Sequence, residues 1–357
     1  MPDALQALEQ GHKQTHKPMT EYSYCVVTCV KNEGPYLIEW LAHYRAIGVQ
    51  RFLIFSNHST DGTRELLDHL DRRGIVRHLP NPSLAFEPPP HRAALAYAPF
   101  HKELRGSDYA IALDVDEFLQ IDLAERTLDG VMAHFGAPDI LSVSELGFGF
   151  GGILDFEDRP VTEQFLLSTD LRPGKRRARR GVKSIMRVGP HIADYSNHRP
   201  VIAADYADKV RWLDGKGAQL GLDFVTGGDR GFDSRGCFDV VRLNHYTLRS
   251  GEAILAKIDR GDAVRNDRLG DFYFRKRDAA RLLNTSFGPM LPGLLAEMDL
   301  LLADPETKSL HDSCVERYKA RIAWLKPRMP DMWAAIQAQV AVSANRLAEL
   351  KSAQIAA

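Results

Sequence analysis

Asp114, Asp116 and Glu117 place three carboxylates within four residues, directly after the apolar run Tyr109-Ala-Ile-Ala-Leu113. In an extended chain side chains alternate faces, so Asp114 and Asp116 share one face while Val115 turns back toward a core. Two such carboxylates repel each other unless a cation lies between them or one keeps its proton. Their oxygens suit hard ions such as Mg2+ or Mn2+. The pair therefore fits a divalent ion that also grips substrate phosphates. The alternative is a strand running out into an exposed acidic turn.

A scaffold must hold that pair, and the preceding sequence supplies one by alternation. Tyr24 to Val30 predicts a buried strand, and Glu33 to Ile47 a helix with Leu37, Trp40, Leu41 and Tyr44 on one face, closed by Gly48. Arg51 to Phe55 predicts a second strand. Ser59-Thr-Asp-Gly-Thr63 is a turn-and-cap cluster opening a helix that runs to about Arg73 and stops at Gly74. A third strand over Ile75 to Leu79, a Pro-rich loop from Pro80 to Pro90, a helix over His91 to Leu104 and a fourth strand over Tyr109 to Leu113 follow. Strands alternating with helices imply an α/β fold with a mainly parallel sheet covered on both faces. Ligands of such sheets bind at the carboxyl ends of the strands, where Thr28 to Asn32, Ser56 to Asp61 and Asp114 to Asp116 all fall.

The second half is less regular. Ile140 to Ser144 predicts another strand, and Phe148-Gly-Phe-Gly-Gly152 a loop whose backbone approaches something closely and could shape a pocket. From about Pro289 the pattern is helical, with Trp333, Ile336, Val340, Leu347 and Leu350 near helical spacing, read as packing with self-association as the alternative. The 357 residues are 44% hydrophobic and 26% charged with a net charge of -1, so no global field draws the chain to nucleic acid or membranes. Cys25, Cys29, Cys237 and Cys314 form no Cys-x-x-Cys pair and read as reduced packing residues. No apolar run approaches the roughly 20 residues that span a bilayer, and residues 1–22 form a polar leader without a signal-peptide core, so a cytoplasmic location is expected. No Gly-x-Gly-x-x-Gly follows the first strand and no Walker loop occurs, which argues against nicotinamide and ATPase chemistry.

Three segments in order, Val27-Thr-Cys-Val-Lys-Asn-Glu-Gly-Pro-Tyr-Leu-Ile-Glu-Trp-Leu41, Phe55-Ser-Asn-His-Ser-Thr-Asp-Gly-Thr63 and Leu113-Asp-Val-Asp-Glu-Phe-Leu119, resemble the family 2-like glycosyltransferases. The resemblance is to the branch carrying Lys-Asn-Glu and Asp-Val-Asp-Glu-Phe. It continues in Lys183-Ser-Ile-Met-Arg187, Arg242-Leu-Asn-His-Tyr246, Arg249-Ser250 and Ala256-Lys-Ile-Asp-Arg-Gly261. It implies a GT-A (Rossmann-like) domain over residues 23–285, with 286–357 as a helical C-terminal extension. It further implies that Asp114 and Asp116 hold Mn2+ or Mg2+ on the diphosphate of a nucleotide sugar, that His245 completes the metal shell, and that Thr28, Asn32, Glu33, Asn57, Asp61 and Lys183 belong to the nucleotide cradle. Glu33 and Asp61 also have plain structural readings, in the first turn of a helix and in the turn before one. The sequence departs from the family pattern at Ser56-Asn57, where relatives commonly carry an Asp, at His91, where a Gln leads the helix, and at Phe148 to Ile153.

Inversion at the anomeric carbon needs a carboxylate to take the acceptor proton. Asp155, Glu157 and Asp158 after the Gly-rich loop, and Glu145 before it, are the candidates. His191 and His198 flank Asp194 and could approach a diphosphate. Lys175-Arg-Arg-Ala-Arg-Arg180 with Lys183 is a basic loop, either solvated or closing on phosphates. It has no interleaved aromatic residues, which argues against nucleic acid. The expected partners are a nucleotide-diphosphate sugar and a saccharide or lipid-linked acceptor, with peripheral membrane contact and a homo-oligomer as further options. The rival readings are an Asp-based phosphotransferase or phosphatase and a non-catalytic sugar- or nucleotide-binding protein of the same fold.

Overall fold

The computed structural model describes residues 21–84, 89–169, 181–227, 237–261 and 271–355. The basic run 175–180 and nearly all of the leader lie outside the described residues.

The main strands are β1 (Tyr24–Val30), β2 (Arg51–Ser56), β3 (Arg77–Pro80), β4 (Tyr109–Ala112), β5 (Glu117–Ile121), β6 (Ile140–Gly147), β7 (Val182–Arg187) and β8 (Val241–His245). They form one sheet in the order β3-β2-β1-β4-β7-β6-β8-β5, with Trp212–Leu213 paired to the start of β6. The β1 to β4 ladder is parallel throughout. β7 runs antiparallel between β4 and β6, and β5 antiparallel to β8. The result is the mixed, mainly parallel α/β sheet flanked by helices that the alternation predicts.

The helix Gly34–Ala46 is more deeply set than its sequence implies. Every residue from Gly34 to Tyr44 is buried, not only one face. The sheet covers one side, and helices from the end of the chain, Leu291–Leu302 and Pro305–Leu325, cover the other. Met290, Leu294, Leu301, Cys314, Tyr318 and Ile322 share the main apolar core with β1 and β2.

Two predicted elements shift for identifiable reasons. The third strand starts at Arg77 rather than Ile75, because the Ile75 N–H bonds Leu70 O (3.0 Å) and the Gly74 N–H bonds Asp71 O (2.8 Å), which closes the preceding helix over a left-handed Gly74. The predicted helix over His91 to Leu104 divides into Pro90–Tyr97, a 3-10 turn Ala98–Phe100 and Lys102–Arg105. Pro99 lacks the N–H that a continuous helix needs there. All four cysteines are free, and burial pushes the Cys25, Cys29 and Cys314 thiols up to about 12.

The Gly-rich loop makes its close approach to the last helix, Pro330–Ile355. A Cβ on Gly149 would lie 2.5 Å from Asp278 Oδ1, and one on Gly152 would lie 2.7 Å from the Ala344 backbone. Asp278 is buried and accepts from Gln339 Nε2 at 2.8 Å, tying the loop to that helix. Ile336 and Val340 pack there with Phe150, Leu248 and Ile254, as the helical spacing predicts. Gly152 combines this contact with φ +77°, whereas a Cβ on Gly151 (φ +59°) has no neighbour nearer than 3.9 Å. Gly152→Ala is therefore expected to lower unfolding free energy by about 2 kcal/mol or more, and Gly151→Ala by about 1 kcal/mol. Urea midpoints of the two variants check this; equal losses would remove the close-approach argument.

Candidate functional site

The carboxylates occupy a tight turn rather than an extension of β4. The Glu117 N–H donates to Asp114 O (3.0 Å), and the Asp114 N–H donates to Glu117 Oε2 (2.8 Å). The Trp40 indole N–H donates to the same Asp114 carbonyl (3.1 Å). Because the Glu117 side chain folds back to cap the turn, the chain reverses between β4 and β5, and the alternation expected of a strand does not apply.

Cations from distant elements meet this turn. Lys183, on β7, is 1% exposed; its Nζ lies 3.2 Å from Asp114 Oδ2, 3.1 Å from Glu117 Oε2 and 2.6 Å from Asn197 Oδ1. His91 Nε2 is 3.3 Å from Asp114 Oδ1. Lys257, on the helix Gly251–Arg260, sets Nζ 2.7 Å from Asp116 Oδ2. His245, at the end of β8, faces Asp116 Oδ1 with Nε2 at 3.4 Å and Glu145 Oε1 with Nδ1 at 2.6 Å. The antiparallel register that sets His245 opposite Glu117 creates this arrangement.

Burial would raise the Asp114 and Asp116 carboxyls, but Lys183 and His91 hold the first below the usual carboxylate range, and Lys257 and His245 hold the second well below it. Glu117 goes the other way, to about 8, because burial outweighs the attraction of Lys183 and Asp114 adds repulsion. Both remedies for a crowded carboxylate turn thus operate: cations sit on two groups and the third keeps its proton. Burial would lower His245, yet Asp116 and then Glu145 raise it well above its ordinary value.

Beside this network opens a cavity of about 700 Å³. Its walls come from Lys31 to Tyr36 after β1, His58 to Asp61 after β2, Thr247 to Arg260, and Arg317 to Arg321 of the helix Pro305–Leu325. Six cationic side chains, Lys31, Arg249, Lys257, Arg260, Arg317 and Arg321, face three carboxylates, Glu33, Asp61 and Asp259. The surplus suits an anion. Asn32 (φ 50°), His58 (φ 45°) and Arg249 (φ 55°) all line it in the left-handed region. Such conformations persist where the surroundings impose them, and they cluster at binding sites.

Glu33 receives the guanidinium groups of Arg249 (3.0 Å) and Arg260. Asp61 caps its turn, accepting from Thr63 N at 3.0 Å and Gly34 N at 3.1 Å, while also lining the cavity. Thr28 Oγ1 and Asn57 Oδ1 are buried without hydrogen-bond partners among the described residues. The structure does not bring the other sequence candidates to the cavity. Glu157 pairs with Arg159 and Asp158 with His311; Asp155 is exposed on the same loop. Glu145 is committed to His245. His198 Nδ1 lies 3.0 Å from Val182 O. Sequence reasoning quoted Arg249, Lys257 and Arg260 within matching segments yet gave them no role, and it missed Arg317 and Arg321, which lie outside every motif.

A family model described as glycosyltransferase family 92 matches residues 20–201. A glycosyltransferase family 92 protein of Oryza sativa subsp. japonica is 30% identical over 137 residues, covering 38% of this chain and 22% of the relative. Relatives from Ricinus communis and Arabidopsis thaliana, also described as glycosyltransferase family 92 proteins, are 35% and 32% identical over 60 and 69 residues, covering 16% and 19% of this chain and 10% and 12% of their own length. The chain thus spans less than a quarter of the curated relatives it matches. A solved structure, S. aureus TarS 1-349, aligns over 94% of this chain and 92% of its own at 10% identity with a TM-score of 0.28, a likeness that carries no weight.

The Glu145 to His245 contact makes a measurable statement about protonation. Two carboxylates flank the imidazole, so it is expected to stay charged through neutral pH in the metal-free protein. Glu145→Gln removes one of them, and the His245 midpoint should fall. NMR titration of the ring protons reads this directly; an unmoved midpoint would mean Glu145 does not govern the histidine.

Proposed function

The chain belongs to glycosyltransferase family 92, and on that premise we propose that it moves a sugar from a nucleoside-diphosphate donor to a saccharide or lipid-linked acceptor. The observation that carries the reading is the acid pair Asp114 and Asp116, joined through Lys257 to a cation-rich cavity at the carboxyl ends of β1 and β2. A GT-A type of fold and a donor bound across these strand ends are part of the same proposal.

In this reading Asp114, Asp116 and His245 would hold Mn2+ or Mg2+, displacing the ammonium groups of Lys183 and Lys257 that now sit on the two carboxylates. Asp116 Oδ1 and His245 Nε2 are 3.4 Å apart, and Glu145 fixes the far nitrogen of the ring, as partners of metal-binding histidines do. No three His, Cys, Asp or Glu side chains close on one point among the described residues. Donor phosphate oxygens and water would then complete the shell, an arrangement typical of Mg2+. Such an ion would supply Lewis-acid stabilisation of the departing diphosphate.

The protein's own groups do the rest. Lys183 and Lys257 stay charged beside the acid pair and add positive potential where phosphate charge develops. Arg249 and Arg260 hold Glu33 at the cavity wall, which fixes the loop after β1 against the incoming nucleotide. In the transfer the bond from the anomeric carbon to phosphate oxygen breaks, a bond to the acceptor oxygen forms, and the acceptor proton passes to a base. An inverting displacement is the form that the sequence resemblance favours. Family membership sets aside the Asp-based phosphotransferase, and turnover separates an enzyme from a binding protein.

Calorimetric titration of UDP, GDP, CDP and ADP, with and without Mn2+, tests the donor site. At least one nucleotide should bind in a metal-dependent manner, and Asp116→Ala should weaken it tenfold or more. Failure of all four to bind would overturn the reading. With donor and acceptor in hand, NMR of the product reports anomeric configuration, and inversion is the expected result.

A further inference from the structure

We propose that Arg317, carried on the helix Pro305–Leu325, binds the donor nucleotide, so that the C-terminal helical segment is a working wall of the donor site; this rests on the donor reading above. Residues 317–321 lie more than a hundred positions beyond the matched family segment, and nothing in the sequence motifs pointed to them.

The helix is fixed against the cavity by three contacts along one of its faces. Cys314 packs so tightly on the start of the helix Gly34–Ala46 that a Cβ on Gly34 would meet its Sγ at 2.6 Å. The Tyr318 hydroxyl lies 3.2 Å from the Tyr36 hydroxyl, and the Arg249 guanidinium stacks 3.5 Å over the Tyr36 ring. Arg321 makes a two-pronged pair with Asp259, both bonds 2.8 Å. Residues four apart share a helix face, so anchoring Arg321 also aims Arg317.

The two arginines differ in what occupies them. Arg321 is spent on Asp259. Arg317 meets Glu65 at 3.5 Å, and both of these side chains are about half exposed (49% and 55%), a weak tie in water. Its Nη1 lies 3.6 Å from where a Cβ on Gly62 would stand, beside the turn that bears His58, Thr60 and Asp61. A planar guanidinium offers parallel donors to phosphate, hydroxyl and carbonyl oxygens, all of which a nucleoside diphosphate presents. The cavity holds more cations than carboxylates, and left-handed backbone at Asn32, His58 and Arg249 marks its walls. Arg317 is the residue through which the helix can add to that site.

The test is calorimetric titration of the same four nucleoside diphosphates into the intact protein and into Arg317→Ala, Arg317→Lys and Arg64→Ala. Arg64 is an exposed arginine on the neighbouring helix Thr63–Arg72, paired with Asp68, and controls for loss of charge alone. Arg317→Ala should weaken the tightest nucleotide about tenfold, Arg317→Lys should recover part of the loss, and Arg64→Ala should match the unsubstituted protein. In turnover, the donor KM should rise with kcat nearly unchanged. Wild-type-like binding by Arg317→Ala, with Asp116→Ala still impaired, would overturn the proposal and leave the donor site standing. Equal losses from Arg317→Ala and Arg64→Ala would also overturn it, since the effect would then be a general field. If the unsubstituted protein binds none of the four, both readings fall together.

Discussion

A buried carboxylate costs several kcal/mol unless a cation and hydrogen bonds compensate, and the turn between β4 and β5 buries Asp116 and Glu117 and half-buries Asp114. Much of the fold answers this constraint. β7 brings Lys183 to Asp114 and Glu117, β8 brings His245 to Asp116, and the helix Gly251–Arg260 brings Lys257. These cations come from sequence positions up to 140 residues downstream of the turn, so the acid turn is a point where separate parts of the chain must agree. Removing one cation would leave its carboxylate desolvated and unpaired, which is more damaging than never having had the pair. The same arrangement keeps anionic oxygens ordered beside an electropositive cavity, which is what binding a phosphate group through a shared cation demands.

The sheet was legible because its signal is local. Buried strands read as short apolar runs, helices as a 3.6-residue period, and glycines at positions 48, 62 and 74 mark turns with positive φ. Asp114 and Asp116 stood out for a different reason, their spacing directly after an apolar run, whereas His245 was suggested by the family resemblance alone. What escaped was whatever depends on long-range packing. That Glu117 folds back to cap its own turn, that Glu145 stands behind His245, and that Glu33 takes two arginines are facts of three-dimensional neighbourhood. Asp61 shows the limit well. Its role in capping the turn was visible in the sequence, whereas its place in the cavity wall required the helix Pro305–Leu325, about 250 residues away, to close the other side.

The same long range explains why the helix Gly34–Ala46 misled as an amphipathic element. Its outward face, which should meet water, meets Leu291–Leu302 and Pro305–Leu325 instead. Glu39 on that helix is buried and accepts from Val161 N, Thr162 N and Thr162 Oγ1 at 2.8 to 3.0 Å, with burial pushing its carboxyl up to about 7. A polar residue in the sequence thus marks an interior junction rather than a solvent face, and it secures the segment that follows the Gly-rich loop.

Covering an early helix with late ones also sets an order of events. Loop closure across some 260 residues carries an entropic cost that local strand and helix formation does not, and contacts of such separation slow folding. While a nascent chain grows from its amino end, β1 to β4 can pair, yet the face of the helix Gly34–Ala46 that meets Cys314 at Gly34 and Tyr318 at Tyr36 has no cover until residues beyond 290 arrive. The half-built domain therefore exposes an apolar helix face during synthesis, the kind of surface that invites aggregation or a chaperone.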